Sequence, residues 1–97
     1  MPLYQIKIAI KEHKIGKFAD SLRSLASEFR KEKGCLDYSV YQDFDEEHAF
    51  CIVAGWETLE AMQKHLLTQK FEGLIGSAKV FGETFDMIMA EVLYQGP

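Results

Sequence analysis

One histidine in the chain is placed where it could move a proton. His65 lies in a predicted helix, about 90° around the helical wheel from the centre of the apolar stripe, so we expect it at the edge between core and solvent, facing a cleft. An imidazole with an unperturbed pKa near ~6.5 can take a proton from a bound substrate at neutral pH. We therefore predict that His65 is catalytic. The structural alternative is a half-buried histidine that bonds a neighbouring backbone group.

Large flat or flexible side chains are available to shape a pocket. Trp56 ends a predicted strand just before a helical turn, and Phe71 lies on the buried line of its helix. Met62 and Met87 are soft and adaptable, and Tyr38 can donate a hydrogen bond to a ligand oxygen. We predict that these five residues bind the substrate. The plainer interpretation of each is packing in the core.

No metal or cofactor is predicted. The three histidines fall in a loop, a hairpin and a helix, with no cysteine or carboxylate at ligand spacing. The sequence contains no glycine-rich phosphate loop, nucleophile elbow or CxxC motif. In the hairpin predicted below, Cys51 is expected opposite about Val40, too far from Cys35 for a disulfide, so we expect two reduced thiols.

Composition and charge indicate one small domain over residues 1–97. The chain is 47% hydrophobic and 27% charged, a balance typical of a globular domain. Its net charge of −4 disfavours nucleic-acid partners, which usually require a basic face. The longest apolar run, Ala49 to Ala54, has six residues, whereas a membrane helix needs ~18. With no signal-peptide pattern at the start, we expect a cytoplasmic protein with no membrane partner.

Hydrophobic periodicity predicts an alternation of strands and helices. Period-two alternation marks strands, and apolar residues at i, i+3, i+4 and i+7 mark amphipathic helices. The predicted elements are a strand at 4–11, a long helix at 15–29 stopped by Gly34, a hairpin of strands 35–42 and 48–56, two short helices after Thr58 and Thr68, and a strand at 83–94. On the second strand, Tyr38 and Tyr41 are expected on opposite faces.

Each of the two short helices carries an apolar line behind a threonine cap. Thr58 is predicted to cap the first helix, which would bury Leu59, Met62 and Leu66. Thr68 is predicted to cap the second. The line buried by that helix would be Phe71, Leu74, Ile75 and Ala78.

The order βαββαβ, with its second helix split in two, is that of a ferredoxin-like α+β fold with helices on one face of an antiparallel sheet. The third strand is apolar on both sides, with Cys51 and Val53 on one side and Phe50 and Ile52 on the other. Because the helices can cover only one face, we expect a homodimer whose sheet faces pack together. Part of that interface would contain water or lie at its periphery, since the face of the first strand that points away from the helices carries polar residues: Gln5, Lys7 and Lys11.

Several of these residues together resemble a known family, the antibiotic biosynthesis monooxygenase (ABM) domain family, and most of all its quinol-monooxygenase branch. The resemblance is carried by the run Glu32-Lys33-Gly34-Cys35-Leu36-Asp37-Tyr38, then by Trp56-Glu57, then by His65-Leu66-Leu67-Thr68 with Phe71 beyond. It implies a dimeric α+β barrel with a pocket between helices and sheet. It also implies oxygenation of electron-rich aromatics without metal or flavin. The same fold hosts other reactions, so the fold alone does not fix the chemistry.

Single positions separate the branches of that family. The haem-degrading branch has Trp at the position of His65 and His at that of Ile75, so the resemblance to it is poor. The aromatic-polyketide oxygenase branch has Asn, Trp and Tyr where this chain has Ala61, His65 and Phe71. The phosphosugar isomerase branch shares the histidine.

These comparisons lead to one functional expectation and two alternatives. We expect a cofactor-independent monooxygenase-like enzyme acting on a small hydroquinone or phenolic aromatic, with His65 as proton acceptor in an apolar pocket. One alternative is an isomerase of a small carbonyl compound, with or without a phosphate group, that uses the same histidine. The other is a non-catalytic dimeric module for ligand binding or stress response.

Overall fold

The computed structural model describes residues 1–93, 95 and 96, so Tyr94, at the end of the predicted last strand, lies outside the described residues. Within them, four strands and three α-helices follow the predicted order. They are β1 (Pro2–Ile10), α1 (Ile15–Phe29), β2 (Cys35–Gln42), β3 (Ala49–Trp56), α2 (Leu59–Leu66), α3 (Gln69–Phe81) and β4 (Gly82–Glu91), with a short 3-10 turn at Glu12–Lys14 before α1.

The strands form one antiparallel sheet in the order β2-β3-β1-β4, which confirms the predicted ferredoxin-like α+β fold. β1 is a central strand, and its Ile6 lies opposite Ile52 of β3. The hairpin register differs by one residue from the expected one, since Tyr41 rather than Val40 lies opposite Cys51. Both cysteines are free thiols, as predicted.

The helices cover one face of the sheet and leave the other open. α1 and β1 bury their apolar residues at the predicted helical and alternating spacings: Phe18, Leu22, Ala26 and Phe29 from α1, and Tyr4, Ile6, Ile8 and Ile10 from β1. Each large apolar side chain contributes roughly 1.5–3 kcal/mol when it is fully buried. On the open face Tyr41 is 56% exposed and Ile88 is 48% exposed. Tyr38 is buried, so the two tyrosines of β2 do point to opposite faces.

Both short helices begin at the predicted threonine caps. The Thr58 hydroxyl accepts a hydrogen bond from the Ala61 amide at 3.1 Å, and the Thr68 hydroxyl accepts one from the Phe71 amide at 3.2 Å. Such caps contribute about 1 kcal/mol each. The predicted buried line of α3 is confirmed, with one member, Ile75, only partly buried.

The predicted orientation of α2 is wrong. Leu59 is 54% exposed and Leu66 is half-buried, whereas Met62 and His65, one turn apart, are both buried. The prediction places His65 at the boundary between the core and the solvent. The helix is instead oriented so that the imidazole is buried, and polar partners for the imidazole are present inside the protein.

The link between α1 and β2 is held against α2 at Gly34. This glycine has a φ of +88°, in the left-handed region, and a side chain there would lie 2.5 Å from the Cβ of Ala61. Its carbonyl accepts a hydrogen bond from the Glu57 amide at 2.7 Å. α1 ends at Phe29, the last residue of the predicted helix, and Gly34 lies in the link that follows. The short link carries Glu32 to a position beside α2.

Among the described residues, no helix combines the length and the hydropathy needed to cross a membrane.

Candidate active site

The imidazole of His65 is enclosed by aromatic rings. Its side chain is fully buried, and the ring of Tyr4 lies edge to edge with it in a nearly parallel plane, with an interplanar angle of 12° and a centroid distance of 5.6 Å. The other rings within 6.5 Å, measured between centroids, are Trp56 at 4.5 Å, Phe29 at 4.7 Å, Phe71 at 5.1 Å and Tyr38 at 6.5 Å. Strands β1, β2 and β3 and all three helices therefore contribute to this aromatic cluster.

Both nitrogens of the imidazole have polar partners. Nε2 lies 2.7 Å from the hydroxyl of Tyr4, and Nδ1 lies 3.1 Å from Oε2 and 3.2 Å from Oε1 of Glu32. An ionised carboxylate can only accept hydrogen bonds, so Nδ1 of His65 carries the proton and donates it to Glu32. The lone pair of Nε2 then accepts the hydrogen bond from the Tyr4 hydroxyl. Glu32 thus fixes the tautomer in which Nε2 acts as a base.

Burial sets the protonation state of this arrangement. Desolvation lowers the pKa of His65 below its ordinary value, and the hydrogen bond and charge of Glu32 only partly offset it. Desolvation also raises the pKa of the Tyr4 hydroxyl far above its ordinary value, and the proximity of Tyr38 raises it further. At neutral pH the pair is therefore a neutral imidazole and a neutral phenol.

Two further polar atoms of the cluster have no hydrogen-bond partner among the described residues. They are the hydroxyl of Tyr38 and the indole nitrogen Nε1 of Trp56, both buried. A buried polar group without a partner costs about 1–3 kcal/mol. Folded proteins leave few such groups, and here both belong to rings that face the same imidazole.

Glu32 connects the buried cluster to the surface. Its side chain is 28% exposed, whereas that of His65 is not exposed. Glu32 and Thr68 both contact His65, and both line a groove of about 620 Å³ on the outside of the molecule. His65 lines neither this groove nor three other hollows on the surface of the described residues. The prediction that His65 faces an open cleft is therefore wrong, because the aromatic rings close over it.

Comparison with known proteins assigns the family. The sequence profile of the family "Antibiotic biosynthesis monooxygenase" matches residues 1–75. The chain belongs to the antibiotic biosynthesis monooxygenase family. It is 27% identical over 93 residues to "Putative monooxygenase YcnE" of Bacillus subtilis (strain 168), a match that covers 95% of this chain and 98% of that protein.

Solved structures share the fold of this ABM protein. A Deinococcus radiodurans protein that carries the family's name superposes with a TM-score of 0.93 at 22% identity, covering 100% of this chain and 97% of that one. A mutant of SnoaB, a cofactor-independent oxygenase from Streptomyces nogalater, superposes with a TM-score of 0.87 at 12% identity, covering 99% and 96% of the two chains. At these identities the likeness shows the fold alone.

The ABM fold brings together most of the residues predicted to bind substrate. Trp56, Phe71 and Tyr38 surround the His65 ring, and Met62 is buried one turn before it on α2. Met87 is half-buried on β4, opposite Ile6, and packs against the core. Within the described residues, no group of three His, Cys, Asp or Glu side chains is arranged to hold a metal ion.

Sequence pattern does not mark two members of the site as functional. Tyr4 is expected only in the core of β1, and Glu32 enters only within the run that resembles the family. One signal is present in the sequence: a tyrosine on a strand face otherwise made of isoleucines needs a partner for its hydroxyl. Nothing comparable marks Glu32, because its contact with His65 spans 33 positions along the chain.

Proposed function

We propose that this ABM protein is a cofactor-independent monooxygenase of a small hydroquinone or phenol, with His65 as the proton acceptor. The observation that carries the proposal is the hydrogen bond from the Tyr4 phenol to Nε2 of His65, in a site where the imidazole is buried, neutral and oriented by Glu32. The protein thus already holds one phenol against its base. Family membership supports the oxidoreductase class.

Tyr4 passes the proton in this proposal. Its hydroxyl occupies the Nε2 lone pair, so a substrate hydroxyl donates to the Tyr4 oxygen while Tyr4 donates its own proton to His65. This exchange moves a proton without a free tyrosinate, a species that burial strongly disfavours. Because the rings are closed over His65, substrate entry requires side chains of the aromatic cluster to move.

The chemistry balances with dioxygen as the oxidant. The deprotonated hydroquinone gives one electron to dioxygen, and the resulting semiquinone and superoxide combine into a ring peroxide anion. The proton stored on His65 converts this anion into a hydroperoxide. The O–O bond then breaks as the same ring carbon loses its hydrogen as a proton, and the departing hydroxide takes up that proton, which yields a hydroxylated quinone and one water.

Oxygen uptake with a small hydroquinone tests the proposal. His65→Gln should lower the uptake rate by about 10²–10⁴-fold, the range that general-base catalysis contributes. His48→Gln is the matched control, because His48 lies partly exposed beside Glu46 in the hairpin. Equal uptake by both variants after subtraction of autoxidation would exclude the proposal. Proton exchange on a carbonyl compound without oxygen uptake would support the isomerase alternative.

We also propose that two copies pair through their open sheet faces. That face carries exposed apolar side chains from two strands, Tyr41 of β2 and Ile88 of β4, and Tyr41 also lines a hollow of about 370 Å³. Sedimentation should therefore give twice the mass of one chain. A charge placed on the face by Ile88→Lys should shift the mass toward that of a single chain, and a wild-type monomer would contradict the pairing.

A further inference from the structure

We propose that the Tyr38 hydroxyl and the Trp56 indole N–H bind one anionic oxygen of the substrate, the phenolate oxygen left when its proton moves to His65. This inference rests on the proposed function, and it assigns to the two unpaired donors a role distinct from that of the base. It adds a binding site for a defined chemical group, an aromatic oxyanion, to the proton-accepting site.

The first support is position. Tyr38 lies opposite Ala54, and Trp56 follows Ala54 by two residues on β3, so the two side chains are diagonal neighbours on the helix-covered face. The centroids of both rings lie within 6.5 Å of the His65 ring. Diagonal neighbours on adjacent strands are within reach of aromatic side chains, so one ligand atom can meet both donors.

The second support is the hydrogen-bonding character of the two groups. The indole N–H of Trp56 can only donate. Burial raises the pKa of the Tyr38 hydroxyl, which keeps its proton available for donation. A ligand atom that satisfies both groups must accept hydrogen bonds, and the pair therefore selects an oxygen over an ammonium or amide N–H. The surrounding rings are apolar, so water competes weakly with a charged acceptor there.

The third support is the place of Tyr38 in the proton path. Tyr4 and Tyr38 lie on either side of Ala54 on the helix-covered face, and the proximity of Tyr38 raises the pKa of Tyr4, although the Tyr38 hydroxyl meets no partner at hydrogen-bond geometry. A substrate oxygen that donates its proton to Tyr4 therefore arrives beside the Tyr38 hydroxyl. The charge that develops on that oxygen would be met by donors already oriented by the fold, as in an oxyanion hole.

The experiment uses 4-nitrophenol, a phenol whose anion absorbs visible light and which can be followed without turnover. Trp56 is the only tryptophan in the chain, so its fluorescence also reports binding at this site. We expect the wild type to bind 4-nitrophenolate at least tenfold more tightly than nitrobenzene, which lacks the oxygen. Tyr38→Phe should lose about 10- to 100-fold in affinity for the anion, the range for a hydrogen bond to a charged group, with nitrobenzene binding unchanged.

The matched control is Tyr41→Phe, the same substitution on the opposite face of the same strand. It should leave 4-nitrophenolate affinity unaltered. Trp56→Phe, followed by absorbance, provides a second variant that keeps an aromatic ring and removes only the indole donor. Without ligand, Tyr38→Phe should unfold at a higher temperature than the wild type, because it removes an unpaired hydroxyl from the core.

The outcomes separate this inference from the proposed function. If 4-nitrophenolate binding depends on Tyr38 and Trp56, the oxyanion site is supported. If, in addition, no quinol is oxidised, only the proposed monooxygenase activity is contradicted. If oxygen uptake depends on His65 but the wild type, Tyr38→Phe and Trp56→Phe bind 4-nitrophenolate equally, the oxyanion site is overturned and the monooxygenase proposal stands. Absence of 4-nitrophenolate binding by the wild type also overturns it.

Discussion

The two ends of β1 lie in the same core but are built differently. At one end, Ile8 and Ile10 pack in an apolar cluster with Phe18 and Phe50, whose ring centroids are 5.8 Å apart. At the other end, Tyr4 is hydrogen-bonded to His65, which is in turn hydrogen-bonded to Glu32. The same period-two alternation buries both ends. The apolar end stabilises the fold. The polar end stabilises it less, because it buries polar groups, and those groups can react.

The largest expected effect is on the stability of the apolar end. Ile8→Ala leaves a cavity in a core with no polar group to rearrange, so it should lower the free energy of unfolding by about 2–5 kcal/mol. Urea denaturation measures this change. Oxygen uptake per folded molecule should stay at the wild-type level, and a parallel loss of uptake would show that the two ends are not separable.

The next effect concerns the polar end. Tyr4→Phe keeps the ring beside His65 and removes the hydroxyl that passes the proton. Oxygen uptake should fall about 100-fold, the low end of the range for general acid–base catalysis. Unchanged uptake would mean that the substrate contacts Nε2 directly, and that Tyr4 belongs with the structural residues.

A smaller effect is expected at Glu32, which orients the base without touching the substrate. Glu32→Gln retains a hydrogen-bond acceptor for Nδ1 and removes the charge, so kcat should fall about 10-fold, as expected when the residue orienting an essential histidine is changed. Glu28→Gln on the same surface groove is the control, because Glu28 pairs with Lys70 rather than with His65. Equal losses in the two variants would indicate a general effect of groove charge.

The smallest effect is the pH dependence of stability. The pKa of His65 is lowered in the folded state, so below its ordinary value of 6.5 the unfolded chain binds more protons than the folded one. The free energy of unfolding should therefore be constant above about pH 7.5 and decrease as the pH falls through 6.5. His65→Gln should remove this slope between about pH 5.5 and 7.5, and a slope that persists in the variant would assign it to another group.

Local pattern accounts for most of the fold. Alternation in β1, helical spacing in α1 and α3, and the threonine caps Thr58 and Thr68 depend on neighbours a few positions apart, and all are predictable. The orientation of α2 is not. The helix has only two turns, so the face that it buries depends on whether the polar side chain of His65 lies on the surface or in the core. Partners far away in the sequence decide this.

The candidate site divides in the same way. Trp56, Tyr38 and Phe71 are large aromatic residues on buried faces, so their pattern can bring them near His65. The Tyr4 and Glu32 contacts span 61 and 33 positions and exist only once β1 and the α1–β2 link are folded against α2. Sequence pattern therefore identifies the candidate base, but not the residues that set its tautomer and contact its lone pair.

The pH profile of kcat/KM for oxygen uptake tests the role of His65 most directly, because it reports the ionisation of the essential base in the free enzyme. For the wild type and for His48→Gln, kcat/KM should be constant near neutral pH and fall on an acid limb below pH 6.5, since burial lowers the pKa of His65. His65→Gln should retain only a small residual rate without that limb. An acid limb that persists unchanged in His65→Gln would contradict the assignment of this imidazole as the proton acceptor.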